Sequence, residues 1–336
     1  MRKEDLHPFI PFGYYFCNVK FVLNPFVFAK KTASHQISCK IQVIITVWLL
    51  TALFPYAVRA TVPMRTVTDQ MGREVVVPVD PRRVVSLSPS ITENIFAINQ
   101  EHRLKGVTRF SDFPPKTAKY PKVGSYTRLD IEKIVALKPD LCIGLKDGNP
   151  PEVIERLESL NIPVFSTDPR NLEAVLKTIL EIGDLLNSTL PSQTLVSSLQ
   201  SRIKRVKALV TTTPRRPRVF FQIGISPIVS AGNNTFIHEL ITLAGGINAS
   251  AGPTPYPRFS REKVLGLAPE VFIITSMARG GGFDEMKAEW SRWPDMPAVR
   301  DNRIYLMDSD VLDRATPRMI DGLEILLQHI HPELFE

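Results

Sequence analysis

The sequence predicts an α/β protein of two Rossmann-like lobes, each with a mostly parallel sheet, joined by one long backbone helix. Three observations carry this expectation. Short apolar runs alternate with amphipathic stretches from residue 83 onward, one strand-and-helix passage recurs at an offset of 130 residues, and residues 171–209 between the two copies are helical in period.

Taken in order, residues 67–78 read as a hairpin, with β-branched flanks on either side of Gly72. Arg83-Val84-Val85-Ser86-Leu87-Ser88 is a buried-strand pattern, and Ser90-Ile91-Thr92-Glu93 has the spacing of a capping box that opens a helix. Further strands are predicted near 105–108, 141–144 and 163–166, with helices over 131–137 and 151–160. Short apolar strands separated by helices imply a parallel sheet covered on both faces.

The internal repeat divides the chain. Ile131-Glu132-Lys133-Ile134-Val135-Ala136-Leu137-Lys138-Pro139-Asp140-Leu141-Cys142-Ile143 returns as Arg261-Glu262-Lys263-Val264-Leu265-Gly266-Leu267-Ala268-Pro269-Glu270-Val271-Phe272-Ile273. The plan extends outwards, because residues 83–87 are echoed by 218–222 and residues 163–166 by 303–307. The expected domains are therefore a leader (1–60), an N-terminal lobe (61–187), a backbone helix and linker (188–216) and a C-terminal lobe (217–336). Pro191 can open the backbone helix, and Leu195, Leu199, Ile203, Val206 and Leu209 form an apolar stripe that favours a packed helix over a loose tether. Residues 211–217, rich in Thr, Pro and Arg, break the pattern before the second lobe.

Composition narrows the function classes. The 336 residues are 44% hydrophobic and 22% charged, ordinary for a chain with a buried core. The net charge of +7 is concentrated in the leader: residues 1–60 hold seven Lys/Arg and two Asp/Glu, leaving +2 for the rest. No basic run with interleaved aromatics remains, so no nucleic-acid partner is expected. Lys40, the apolar run 41–54 and Ala57-Val58-Arg59-Ala60 read as a signal peptide cut between Ala60 and Thr61, which predicts export. The alternative is a retained anchor, for which the run is shorter than the roughly 20 residues of a spanning helix. Of Cys17, Cys39 and Cys142, only Cys142 survives that cut, and its apolar surroundings mark it as structural.

Four segments carry a family resemblance. Residues 83–89, Ser111-Asp112-Phe113-Pro114-Pro115, Val135-Ala136-Leu137-Lys138-Pro139-Asp140-Leu141 and Pro317-Arg318 occur in an order similar to that of the helical-backbone (class III) periplasmic binding proteins of ABC importers, and most resemble the cobalamin receptors among them. The resemblance covers about residues 65–327. It implies two lobes joined by one helix, ligand held in the cleft, small hinge motion, a monomer in the periplasm, and a permease dimer as partner. It also implies a corrinoid or other metal-chelate ligand, so no cofactor or protein-bound metal is expected beyond the metal inside the transported ligand.

Candidate residues follow from the repeat. Tyr126 precedes Glu132 by six residues, and Tyr256 precedes Glu262 by six. Lobes related by a pseudo-two-fold axis bring equivalent loops to the cleft, where each tyrosine offers a face to a flat ligand; the alternative is a pair of ordinary loop anchors. The resemblance places aromatic ligand contacts at these two positions, and at two others where this chain has Leu145 and Val311. Glu132 and Glu262 follow the N-caps Asp130 and Ser260, where a carboxylate complements a helix dipole; the resemblance implies instead that they dock on permease arginines, one per lobe. Strand ends add Phe110, Phe113, Asp147-Gly148-Asn149, Arg314 and Arg318. Arg314 can serve either an anionic or amide-rich ligand or the structure itself.

Enzymatic readings find little. Gly224-Ile225-Ser226 lacks the second glycine of a nucleophile elbow, His102, His238, His329 and His331 are scattered, and no HExxH occurs. His329 and His331 end the last helix, where a positive charge is favourable. The glycines of Arg279-Gly280-Gly281-Gly282 lack the setting of a phosphate loop and predict a mobile segment. An iron-siderophore or haem receptor of the same fold remains the alternative, followed by a metal-cluster enzyme on a similar scaffold, which would need cysteines that the mature chain lacks.

Overall fold

The computed structural model describes residues 62–224, 226–275 and 283–335. The expected leader and cleavage site, the segment 279–282 and the middle of the Gly224-Ile225-Ser226 motif lie outside these residues.

A hairpin opens the described chain: β1 (Met64–Thr68) pairs antiparallel with β2 (Glu74–Pro78). Gly72 takes φ +76° in its turn, a region open to glycine at little cost. The N-terminal lobe continues through β3 (Val84–Ser86), α1 (Pro89–Ala97), β4 (Leu104–Gly106), the short hairpin of β5 (Gly124–Ser125) and β6 (Arg128–Leu129), α2 (Ile131–Ala136), β7 (Leu141–Leu145), α3 (Pro151–Ser159) and β8 (Val164–Thr167). Its four-stranded parallel sheet has the order β4-β3-β7-β8.

Two helices follow, α4 (Leu172–Leu185) and α5 (Thr189–Thr211). The C-terminal lobe then comprises β9 (Arg218–Gln222), β10 (Ile228–Val229), α6 (Phe236–Leu243), β11 (Ile247–Asn248), β12 (Arg258–Phe259), α7 (Arg261–Gly266), β13 (Val271–Ile274), α8 (Phe283–Trp290), α9 (Pro297–Arg300), β14 (Ile304–Leu306) and α10 (Met319–Ile330). Its parallel sheet runs β11-β9-β13-β14, so that β9, β11, β13 and β14 take the places of β3, β4, β7 and β8. The two lobes share one topology.

The repeat persists into backbone detail. Lys138 and Ala268, 130 residues apart, both adopt positive φ (47° and 43°), ending α2 and α7 in the left-handed conformation that turns the chain into the next strand. Asp140 accepts the amide N–H of Arg83 at 2.9 Å, and Glu270 accepts that of Arg218 at 3.0 Å. Each carboxylate thus anchors the start of the neighbouring strand, which explains why an acid recurs after each repeated proline.

Two elements differ from the sequence reading. Ser88, not Ser90, caps α1: its hydroxyl accepts from the Ile91 amide, and Pro89 takes the first helical position, where its missing N–H costs nothing. Glu93 therefore lies one turn into the helix and is buried, so it completes no capping box. The backbone helix buries Leu199 and Val206 of the expected stripe together with Ser192, Val196 and Val210; Leu209 is exposed, and Leu195 and Ile203 are half-buried. The buried face is turned because α5 packs against both α4 and α10, where Arg202 reaches Glu324 and Asp321 at 2.6 Å each.

At about 1.5 Å per residue, the 23 residues of α5 span roughly 35 Å. One apolar cluster runs from Ile91 and Ile143 through Ile179 and Leu199 to Phe221 and Leu323, so both lobes share a core along the helices that join them. Separate clusters fill the outer side of each sheet, one around Val85, Ile134 and Leu157, the other around Phe220, Phe272 and Trp290. Cys142 is fully buried, which pushes its thiol pKa well up and keeps it unreactive. His329 stacks on Tyr305 with 3.9 Å between ring centroids, and burial lowers its pKa; the expected favourable charge at the end of α10 is thereby opposed.

Candidate functional site

The sheets point the carboxyl ends of their strands towards one cavity of about 1230 Å³. Its walls come from both lobes, as expected for a crevice outside the strand ends of open α/β sheets. The N-terminal wall includes Phe110, Tyr126, Leu145, Asp147 and the Asp168-Pro169-Arg170 turn after β8; the C-terminal wall includes Ile223, Phe236, Tyr256, the last residue of β14, Leu306, and residues 307–310 and 312–315 after it.

Tyr126 sits at the tip of the β5–β6 hairpin and is fixed by the turn after β7. Asn149 donates to the carbonyl of Tyr126 at 2.8 Å and to that of Leu87 at 2.9 Å, while its own amide oxygen accepts from Leu145. Gly148, at φ +130°, lies under the ring: a Cβ there would come within 2.5 Å of the Tyr126 ring. Tyr256 lies in the loop before β12. That loop is held by hydrogen bonds from Ser230 to Pro257 and from Gly232 to Pro255, and a Cβ on Gly232 would strike the Thr254 carbonyl. Two different devices therefore hold the two repeated tyrosines at the cavity.

Of the six sequence-predicted ligand residues, Phe110, Tyr126, Asp147, Tyr256 and Arg314 line the cavity. Phe113 does not; it is exposed, with the Arg318 guanidinium 4.1 Å from its ring centre. The polar members are already engaged. Asp147 and Asp168 both bind Arg170, at 2.5 and 2.6 Å. Arg314 is held by Glu93 at 2.7 Å, Asp310 at 2.8 Å and Asp112 at 3.3 Å. Its side chain is only 13% exposed, so its charge is spent within the protein. Leu145 lines the cavity where the resemblance implies an aromatic, whereas at the second such position Val311 packs against the core beside Leu312, which does line it.

Sequence reasoning missed Glu93, Asp168, Arg170 and Asp313. The rule that strand ends make the site would have reached Asp168 and Arg170, which directly follow β8. Nothing local marks Asp313, whose carboxylate oxygens are both shielded from water and without a hydrogen-bond partner among the described residues. Burial, then the nearby Asp310 and Asp308, push its carboxyl up to about 7. Partial burial also raises the Tyr256 phenol, followed by the charges of Asp313 and, from the opposite lobe, Asp147. Glu132 and Glu262 lie outside the cavity, exposed on the first turns of α2 and α7, behind the caps Asp130 and Ser260. The hydrogen bonds of its own amide and of the Ser260 hydroxyl lower the Glu262 pKa. Among the described residues, no cluster of His, Cys, Asp and Glu could hold a metal ion.

The sequence profile described as periplasmic binding protein matches residues 84–311, more than half of the chain. The chain belongs to that family. As a periplasmic binding protein it is 29% identical over 248 residues to the Vitamin B12-binding protein of Vibrio parahaemolyticus, covering 74% of this chain and 88% of that one. It is 28% identical over 277 residues to the uncharacterized ABC transporter substrate-binding lipoprotein YvrC of Bacillus subtilis, covering 81% and 87%. Among solved structures, the periplasmic Vitamin B12 binding protein BtuF of Vibrio cholerae superposes with a TM-score of 0.66 at 26% identity, covering 77% of this chain and all of that one. The periplasmic heme-binding protein RhuT of Roseiflexus superposes with a TM-score of 0.68 at 29% identity, covering 75% and 99%. The shared two-lobed scaffold is that of a transport component that binds substrate, and it carries receptors for unlike ligands.

Proposed function

We propose that this periplasmic binding protein is the receptor of an ABC importer, capturing a corrinoid of the cobalamin type in its interlobe cleft and delivering it to a permease dimer. The observation that carries the reading is the cavity itself. At about 1230 Å³ it exceeds the roughly 300–1,000 Å³ of sites for drug-sized ligands, and a tyrosine enters it from each lobe. Such a volume suits a broad macrocycle, which the apolar and aromatic groups Phe110, Tyr126, Leu145 and Tyr256 would cover. The curated relatives named as Vitamin B12-binding proteins support the same ligand class.

Partial burial and the charges of Asp313 and Asp147 raise the Tyr256 phenol, so the ligand-free protein offers a neutral aromatic face for stacking. Delivery would proceed through Glu132 and Glu262, exposed at equivalent helix starts in lobes of equal topology. In this reading the chain is exported, loses residues 1–60 and acts as a monomer without catalytic chemistry.

The test is titration of the purified mature protein with cyanocobalamin, haem and a ferric siderophore, followed by visible absorption. Saturable binding of cyanocobalamin alone is expected; binding of haem with no response to cyanocobalamin would overturn the assignment. Tyr126→Ala and Tyr256→Ala should each weaken cobalamin binding by about tenfold, and Tyr→Phe should restore most of it.

A further inference from the structure

Glutamates in equivalent places tie each lobe to the other. α1 leads from β3 to β4 and α6 leads into β11, which takes the place of β4, so these two helices match; α4 and α10 match as the helices that follow β8 and β14. Glu93, a turn beyond the Ser88 cap of α1, reaches Arg314 at 2.7 Å and Arg318, the cap residue of α10, at 3.5 Å. Glu239, a turn beyond the Thr235 cap of α6, accepts the amide N–H of Leu172, the first residue of α4, at 2.8 Å. Each lobe thus sends a carboxylate to the start of the other lobe's matching helix. Both contacts are charge-assisted, one through guanidinium groups and the other through a free N–H at the positive end of a helix. The starts of α1 and α6, the turn before α4 and Arg314 all line the cavity, so the ties lie directly behind its walls.

We propose that Glu93 and Glu239 are positioning residues that together set the width of the cleft. A single tie leaves the lobes free to rotate about it, whereas two ties made from opposite lobes remove that freedom. The apolar cluster shared along α4, α5 and α10 joins the lobes behind the ties, and the two carboxylates hold the walls of the cavity in register in front of it. A cleft held in this way meets its ligand preorganised, so less of the binding energy goes into ordering the lobes. The inference does not depend on which ligand the cleft takes.

The experiment measures the distance between the lobes in the ligand-free mature protein by double electron–electron resonance. Spin labels are placed on Lys133→Cys and Lys263→Cys, exposed positions that the repeat makes equivalent, while Cys142 is buried. Circular dichroism establishes that each variant is folded. Glu239→Ala should widen the distance distribution, and Glu93→Ala combined with Glu239→Ala should also lengthen its mean by about 2 Å or more. Glu239→Gln keeps an acceptor oxygen for the Leu172 amide and should retain the wild-type distribution. Glu93→Ala also strips buried guanidinium groups of a partner, so Glu239→Ala, which frees a single helix N–H, carries the test if the double variant does not fold. A wild-type distribution in folded Glu239→Ala would show that the shared apolar core alone fixes the lobes, and would overturn the proposal. Because no ligand is added, that failure leaves the corrinoid reading intact, and failure of the protein to bind cyanocobalamin leaves this one intact.

Discussion

Arg314 of the C-terminal lobe donates to Glu93 of the N-terminal lobe at 2.7 Å, with the carboxylate side chain only 3% exposed. Arg318 adds a second contact to Glu93 at 3.5 Å, and Asn94 donates to the Ala315 carbonyl at 3.3 Å. Burial raises the pKa of Glu93 against the pull of both guanidinium groups. The contact ties the two lobes together beside the cavity that Arg314 and Ala315 line.

Removing the carboxylate should loosen that clasp. Among the described residues, Glu93→Ala leaves Arg314 with Asp310, Asp112 and the Phe110 carbonyl, so it should destabilise the protein by about 2–4 kcal/mol, and Glu93→Gln by less. Urea unfolding checks this through a lower midpoint at an unchanged slope.

Asp313 predicts a pH dependence of stability. Below its unfolded pKa, near 3.8, the carboxyl is protonated in both states; from there to about 7 the folded chain holds a proton that the unfolded chain has released. Stability should therefore fall as pH rises through this window and level off above it, by roughly a few kcal/mol in total. Thermal unfolding of the ligand-free protein at about pH 5 and about pH 8 should show Asp313→Asn gaining more on wild type at the higher value.

Gly148 should not tolerate a side chain. Its φ of +130° strains any L residue, and a Cβ would overlap the Tyr126 ring. Gly148→Ala should cost about 1–3 kcal/mol of stability and, by displacing Tyr126, weaken ligand binding by about tenfold. Calorimetric titration beside urea unfolding separates the two effects.

The exposed glutamates should affect transport alone. Glu132→Lys combined with Glu262→Lys should abolish stimulation of the importer's ATPase while leaving the ligand Kd within about twofold, because like-charge contacts at an interface cost several kcal/mol. Both measurements can be made on one preparation reconstituted with its permease.

The repeat at an offset of 130 was enough to predict two lobes of one plan, because a strand pattern, a capped helix and a following Pro-Asp or Pro-Glu are local instructions. The same locality made Tyr126, Tyr256, Glu132 and Glu262 stand out: each is tied to a helix start that the sequence marks. What the sequence by itself did not determine is which polar groups would find partners. Glu93 has the spacing of a capping residue, yet it pairs with Arg314, 221 positions away. Arg314 has the look of a ligand contact, and three carboxylates from two lobes occupy it. Asp313 is one residue from Arg314 and has no partner at all among the described residues. Side-chain pairing across a cleft depends on distances of a few ångströms between segments far apart in the chain. Local pattern carries no information about those distances, and only the packed lobes decide them.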